Sequence, residues 1–416
     1  MLTYMLLELV SAVVGAIAII FILYQLQKLT HFMRFFKHKA VLIPLCLFVV
    51  AFFAGLIANR TYPPTFAMPA FMHSHAPGGV PASIPFNKIL DFFLYENKFE
   101  RVADIGADPT AVPSEPQKPD ADGIVRIHLD VKEVIAEIAP GISYNYWTYN
   151  GQTPGPMLRI REGDTVELTL TNDPTSLHHH NIDLHAVTGQ GGGAVLTEVL
   201  PGETKTFRWK ALNPGLYIYH CAMPNVSTHN SHGQYGLILV EPKGGLSKVD
   251  KEFYIVQGEL YTVGQLGKKG LVAFDSNALL DGDPNYVVFN GKIEGAPRMH
   301  AKVGEKLRIY VGNGGVNLIS SFHVIGEIFD TVYPEGNIGG SMEKNVQTTA
   351  VLPGGSSIVE FTLDVPGKYL LVDHALARMN KGAWAVLEVS GDANKNIFAP
   401  VGQPETAHSM DNMHEH

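Results

Sequence analysis

Hydrophobic and polar positions alternate in short runs from Gly123 onward. Runs such as IVRIHLDV, DTVELTLTN and GLYIYHC are separated by turns rich in Gly, Pro and Asn-Gly. Alternation with a period of two predicts strands with one buried face, and regularly spaced short strands are typical of β-sandwiches and barrels. The chain has 416 residues, which is enough for roughly two to four such domains.

The β-rich part also repeats itself at an interval of about 150 residues, as a duplicated sandwich would. The paired segments are GQTP at Gly151 and GK at Gly291, REGD at Arg161 and KVGE at Lys302, and PGLYIYH at Pro214 and PGKYLLVDH at Pro366. We therefore predict an all-β body of two tandem β-sandwich domains, over residues 124–245 and 246–391, followed by a tail over residues 392–416.

The first sixty residues have a different pattern, with two long apolar segments. They predict a two-helix transmembrane hairpin over residues 1–61, with helices at about 5–27 and 40–59. A cleaved signal peptide competes with this interpretation, but no Lys or Arg precedes the first apolar run and a second apolar segment follows. The loop between the segments, residues 28–39, holds four cations and is expected in the cytoplasm. The rest of the chain would then lie outside the cytoplasm, in the periplasm of a bacterial inner membrane.

Residues 62–123 are rich in Pro, Ala and Asp and predict a linker. Within it, residues 85–102 are amphipathic and are expected to form a helix, either packed on the body or lying on the membrane surface. The tail contains several Met and His residues that could bind a metal ion, although a disordered terminus is the simpler interpretation.

Charge and cysteine content exclude several classes of protein. Residues 1–60 carry five cations and one anion, a net charge of +4. Since the whole chain has a net charge of −9, the remaining residues carry −13. Such an acidic body argues against nucleic acid as a partner. Only two cysteines occur, Cys46 and Cys221, which excludes a disulfide framework and cysteine-rich metal proteins.

Cys221 lies at the end of a predicted strand, with His180 upstream and His229 downstream. A thiolate with two imidazoles and a weak axial ligand is typical of a blue-copper centre for electron transfer. No Met occurs between Met223 and Met299, and Gln234 follows His229 by five residues, so we take Gln234 as the axial ligand. A buried structural thiol would be the alternative if Cys221 stood alone.

A second metal site is expected beside the first. His220 and Cys221 are adjacent in a strand and should face opposite sides. His220 and His185 are therefore candidate ligands of another metal, and the second domain offers His374. Three imidazoles with an open position describe a catalytic site. Asp183 and His323 are nearby polar candidates, and His178 and His179 are expected to be surface histidines.

These residues resemble the copper-containing, nitric-oxide-forming nitrite reductases over about residues 124–391. The resemblance rests on HNIDLHAVTG at His180, YHCA at Tyr219, SFHVIG at Ser321 and VDH at Val372. It implies two cupredoxin-like domains and a homotrimer with two copper sites per subunit. The implied type 1 copper ligands are His180, Cys221, His229 and Gln234, and the implied type 2 ligands are His185, His220 and a neighbouring subunit's His374. Asp183 and His323 would deliver protons, and Ile325 would cap the type 2 copper.

The resemblance implies one-electron reduction of nitrite to nitric oxide, as in denitrification. In this family the axial ligand is usually Met, and the export signal is cleaved, so Gln234 and the hairpin both depart from the pattern. The hairpin suggests membrane quinol as the electron donor in place of cytochrome c or a soluble cupredoxin, with Glu8 as a quinol or proton site and Phe92, Phe93 and Phe99 around it. Two other functions stay open: a two-domain multicopper oxidase, and a membrane-tethered cupredoxin electron carrier.

Overall fold

The computed structural model describes residues 99–293 and 299–401. The predicted hairpin, Glu8, most of the linker and the tail beyond residue 401 lie outside the described residues. No helix within the described ranges is long and apolar enough to cross a membrane.

The described part is built from two β-sandwiches, each made of two sheets. This confirms the prediction of a mostly β body with two domains. The strands of the first half of the chain are β1 (Glu100–Arg101), β2 (Ile124–Ala139), β3 (Ile142–Tyr149), β4 (Leu158–Arg161), β5 (Thr165–Asn172), β6 (Asp183–Leu184), β7 (Thr204–Lys210), β8 (Gly215–His220) and β9 (Tyr235–Glu241). In the first sandwich, one sheet has the strand order β11-β3-β2-β5-β7, where β11 is Gly270–Leu271 and β1 lies beside β2, and the other sheet has the order β4-β9-β8-β6.

The second sandwich has the sheet orders β12-β10-β14-β18-β16 and β13-β20-β19-β15-β17. Its strands, together with β11, which joins the first sandwich, are β10 (Lys251–Leu260), β11 (Gly270–Leu271), β12 (Tyr286–Phe289), β13 (Met299–Lys302), β14 (Lys306–Asn313), β15 (Ser320–Ile325), β16 (Thr331–Tyr333), β17 (Thr348–Val351), β18 (Ser356–Thr362), β19 (Gly367–Asp373) and β20 (Trp384–Ser390). Short helices connect them: α1 (Val226–Ser231), α2 (Ser276–Asp281) and the 3₁₀ turns Gln190–Leu196, Pro334–Gly336 and Leu376–Lys381.

The apolar side chains at the alternating positions of the sequence form the core of each sandwich. In β5 every second residue is buried, beginning with Val166 and Leu168, and these side chains pack against Ile238 and Val240 of β9 in the facing sheet. Fully burying an aliphatic side chain of this kind stabilises the fold by about 1.5–3 kcal/mol. The second sandwich encloses a core of its own in the same way.

The two sandwiches pack against each other through one sheet of each. Leu216 and Leu237, on β8 and β9, lie in one apolar cluster with Val256, Tyr310 and Ile358 of the second sandwich. Since β8 carries His220 and is followed directly by Cys221, this interface fixes the strand that leads into the candidate site.

A buried ion-pair network joins the sandwiches at one edge. Glu252 of β10 accepts from Arg159 at 2.7 Å and from Arg308 at 2.8 Å. Arg159 also pairs with Glu241, and Arg308 pairs with Glu360. Burial by itself would raise the pKa of Glu252, but its hydrogen-bonding partners, led by Tyr310 and Arg159, together have a larger, opposite effect. The net shift of the pKa is downward, so the carboxylate stays charged.

The repeat seen in the sequence is present in the backbone. Asn150 and Gly151 have φ values of 55° and 72°, and Asn290 and Gly291 have values of 50° and 85°. Two consecutive residues with positive φ are typical of a type I′ turn, which Asn-Gly adopts more readily than other pairs. The same turn therefore ends the equivalent strands, β3 and β12.

Two expectations for the linker need correction. The helix predicted over residues 85–102 is wrong at its described end, because Glu100–Arg101 form β1 and pair in parallel with Val134 and Ile135 of β2. Phe99, expected beside a quinol pocket, is buried against Ile135 and Leu177. The backbone amides of β2 offered this segment hydrogen-bond partners, which an amphipathic pattern alone does not reveal.

Candidate metal centres

The first candidate centre is a buried group of His180, Cys221 and His229. One nitrogen of each histidine and the sulfur of Cys221 lie within 4.8 Å of one another, and all three side chains are buried. Cys221 directly follows β8, His229 lies on α1, and His180 precedes β6. Three separate segments thus converge on one buried group.

Gln234 lies against the same group, between α1 and β9. Its Oε1 is 2.9 Å from Nδ1 of His180 and 3.3 Å from Nδ1 of His229. Its backbone carbonyl accepts from the amide of Cys221 at 3.2 Å. The Nε2 atom of Gln234 has no hydrogen-bond partner among the described residues, so its carbonyl oxygen is the end directed at the histidines.

Burial sets the electrostatics of this group. It raises the pKa of the Cys221 thiol to about 12, and it lowers the pKa of His229 well below its usual range. The neighbouring thiol sulfur and His229 Nδ1 are 3.3 Å apart. The backbone N–H of Asn181 lies 3.5 Å from the same sulfur and can donate to it. A soft sulfur, two neutral imidazoles and an amide oxygen without a solvent path form a donor set that fits a copper ion.

The second candidate centre is formed by Asp183, His185 and His220. Asp183 of β6 is directly opposite His220 of β8 in an antiparallel pair. The Nε2 atoms of His185 and His220 are 3.1 Å apart, and Oδ2 of Asp183 is 3.9 Å from Nε2 of His220. His185 is exposed and the other two are half-buried, so this group is open to a small solute.

The backbone prepares these side chains for metal binding. Nδ1 of His220 donates to the carbonyl of Cys221 at 2.9 Å, which leaves Nε2 with its lone pair directed at His185. Gly192 has a φ of +56°, and a Cβ there would lie 1.8 Å from Oδ1 of Asp183. Glycine is therefore required for this loop to approach the carboxylate.

His323, Ile325 and His374 lie on the second sandwich. The rings of His323 and His374 are 5.4 Å apart, and Nδ1 of His323 donates to the carbonyl of Gln347 at 2.5 Å. Ile325 is 42% exposed and His374 is also exposed. Within one described chain, neither histidine belongs to the group of Asp183, His185 and His220.

Several residues that surround the buried group were not predicted from the sequence. Trp147 stacks between His178 and His232, with both pairs of ring centroids 4.2 Å apart. The surface prediction is therefore wrong for His178, whose side chain is only 17% exposed, while His179 is 42% exposed. Glu133 contacts His178 from β2. The sequence signal for Glu133 was that this acidic residue falls at a position of β2 where the alternation predicts a buried side chain.

Comparisons with known proteins point to one family. A family model described as multicopper oxidase matches residues 130–245. A copper-containing nitrite reductase of Neisseria meningitidis is 54% identical over 300 residues, which cover 71% of this chain and 77% of that protein.

Solved structures agree with this comparison. The copper nitrite reductase from Nitrosomonas europaea has a TM-score of 0.58 and 34% identity, covering 65% of this chain and 95% of that one. A crystal structure of a multicopper oxidase has a TM-score of 0.59 and 29% identity, covering 69% and 98%. Both classes share the cupredoxin-like sandwich, but the extended sequence identity is with the reductases. The chain therefore belongs to the family of copper-containing nitrite reductases, and copper is its metal.

Proposed function

We propose that the protein reduces nitrite to nitric oxide and water, using one electron and two protons, with the buried group as a type 1 copper site and the exposed group as a type 2 copper site. The observation that carries the proposal is the covalent junction of the two groups, since His220 and Cys221 are adjacent and belong to different groups. Copper, when bound, supplies one-electron chemistry at the buried group and a Lewis acid for nitrite at the exposed one.

His180, Cys221 and His229 would hold the type 1 copper, with Gln234 as the axial ligand. This assignment is supported by the short distances between their donor atoms and by the burial of all three side chains. Burial also disfavours water as an extra ligand, so the coordination would change little between oxidation states.

His185 and His220 would hold the type 2 copper together with His374 of a second copy of the chain. Exposure of His185 and His374 on separate sandwiches supports a site shared between subunits. His323 and Ile325 lie on β15, and His374 directly follows the neighbouring strand β19. All three would therefore reach the site from the same side of the second copy. A cyclic homotrimer would complete three such sites.

Asp183 and His323 would deliver the two protons. Asp183 lies 3.9 Å from Nε2 of His220, close enough to reach an anion bound beside that ring. His323 uses Nδ1 for the Gln347 carbonyl, so its Nε2 is the atom that can exchange a proton. Transfer of both protons to one nitrite oxygen, together with one electron, would break its N–O bond and leave nitric oxide and water. Ile325 would exclude solvent from the same space.

A multicopper oxidase is the second candidate, because the family model over residues 130–245 favours it. Its trinuclear cluster needs a histidine on each side of the cysteine, whereas Ala222 follows Cys221 here. A tethered electron carrier would need only the buried group.

Two measurements on the purified full-length protein separate these functions: the number of copper ions per subunit and the production of nitric oxide. A reductase has two coppers and consumes nitrite. A failure to consume nitrite with both coppers bound would contradict the proposal.

We further propose that the chain is anchored in a bacterial inner membrane with its β body in the periplasm, and that membrane quinol is its electron donor. The support is the pair of apolar segments before residue 60 and the cationic loop between them. Glu8 would accept a proton from the quinol.

The replacement Asp183→Asn should keep both coppers and lower nitrite turnover by about 10²-fold or more, because the amide cannot donate the proton. Steady-state nitric oxide production and copper content measure this. Asp130→Asn, at an exposed position of the same sandwich, is the control and should behave like the parent. Parental turnover in Asp183→Asn would remove Asp183 from the proposed role.

The replacement His374→Ala should lose about half of the bound copper while the visible colour of the buried site stays, because His374 would ligate only the exposed copper. Metal analysis and the absorption spectrum measure the two sites separately. His300→Ala changes an exposed histidine on the same sheet and should lose no copper. A colourless His374→Ala protein with His300→Ala unaffected would show that the ligand assignment is wrong.

The replacement Gln234→Met should raise the reduction potential of the buried copper, because a thioether favours Cu(I) more than an amide oxygen does. We expect about a tenfold shift of the one-electron equilibrium, which corresponds to ~59 mV. Redox titration of the visible band measures it, with the exposed Gln265→Met as control. An unchanged or lower potential would exclude Gln234 as the axial ligand.

Removal of residues 1–62 should abolish nitrite reduction driven by a quinol analogue and preserve reduction driven by an artificial dye, because the proposed quinol site lies in the hairpin. Both proteins are assayed with both donors. The donor proposal is wrong if the shortened protein still uses quinol, or if the full-length protein uses only the dye.

A further inference from the structure

A buried carboxylate lies beside the first metal centre without belonging to either donor group. Glu133 is on β2, in the sheet that faces the metal-bearing strands, and is 1% exposed. Burial of an acidic side chain is costly unless it is paired or hydrogen-bonded. The contacts of Glu133 therefore indicate what it stabilises.

Among the described residues, Glu133 contacts nitrogen atoms of the segment that ends in His180. Its Oε1 accepts from the amides of Leu177 and His178 at 2.7 and 2.9 Å. It also lies 3.0 Å from Nδ1 of His178 and 3.5 Å from Nε2 of His180. One oxygen thus ties the 177–180 segment to β2, while Oε2 has no hydrogen-bond partner among the described residues.

The ring of His178 is itself held in place. Trp147 lies between His178 and His232, with interplanar angles of 33° and 16°, and its Nε1 donates to Asn145 at 2.8 Å. His232 is anchored in turn, since its Nδ1 donates to the carbonyl of Thr228 at 2.7 Å. The stacked rings leave His178 little freedom to turn away from Glu133.

An acceptor surrounded by donors is stabilised in its charged form. Two backbone N–H groups and two imidazole nitrogens lie within 3.5 Å of Oε1 of Glu133. A negative charge therefore lies next to the outer nitrogen of His180, whose other nitrogen, Nδ1, faces Gln234 and the buried group.

We propose that Glu133 is a positioning residue of the buried copper centre: it fixes the His180 ring with Nδ1 toward the metal and lowers the reduction potential by placing a negative charge beside that ring. A hydrogen bond from the outer nitrogen of a ligating histidine to a carboxylate raises the basicity of the ligand. Both the basicity and the charge favour Cu(II) over Cu(I). This inference rests on the proposed assignment of His180 as a copper ligand.

The test replaces the charge with a neutral group of the same shape, Glu133→Gln, in the full-length copper-loaded protein. Glu137→Gln is the matched control, because Glu137 is an exposed acid on the same strand. Redox titration of the visible band measures the potential, and hydrogen–deuterium exchange measures protection of the Leu177 and His178 amides.

Glu133→Gln should shift the one-electron equilibrium toward the reduced copper by about tenfold, equivalent to ~59 mV. Exchange of the two amides should become several-fold faster, because a neutral acceptor forms weaker hydrogen bonds than a charged one. The control should match the parent in both measurements. A Glu133→Gln protein with the potential of the control would overturn the inference.

If Glu133→Gln is not recovered folded, Glu133→Asp replaces it, since Asp keeps the charge but withdraws it by one methylene. A smaller rise in potential and faster exchange are then expected, and no change in either would overturn the inference. Failure of the proposed function is distinguishable: the unmodified protein would then lack a visible copper band, whereas its amide protection would still report on Glu133.

Discussion

The peptide bond between His220 and Cys221 is the constraint on which both metal centres depend. Adjacent residues at the end of β8 direct their side chains to opposite sides. Cys221 therefore enters the buried group, and His220 enters the half-exposed one. Pairing of β8 with β6 and β9 fixes this register, and a slip of one residue would exchange the two side chains.

The two centres differ in solvent access, and this difference separates their chemistry. The buried group is closed to solvent, and burial disfavours both the thiolate of Cys221 and the protonated form of His229. A bound cation would offset the cost of the thiolate while the imidazoles stay neutral. The other group lies at the surface, where His185 is exposed and a small anion can approach. Rigid, dry coordination suits electron transfer, and an open position suits substrate binding.

The second sandwich repeats the strand pattern of the first but not its set of donor residues. His374 follows β19 as His220 ends β8, but the next residue is Ala375, not a cysteine. Asp373 before it is buried and pairs with Arg378 at 2.7 Å, so this position has become part of the scaffold. At this position the second sandwich therefore has an exposed imidazole and no thiol.

The sequence alone determined the strands, the repeat and the types of donor residue. These follow from local features: alternation with a period of two, Asn-Gly turns, and the short spacing of His180, Asp183 and His185. Only the tertiary structure revealed Glu133, Trp147 and His178 around the buried centre. Glu133 and His178 are 45 positions apart in the chain. Their contact depends on how a long strand packs against a loop, and no local pattern of residues encodes that packing.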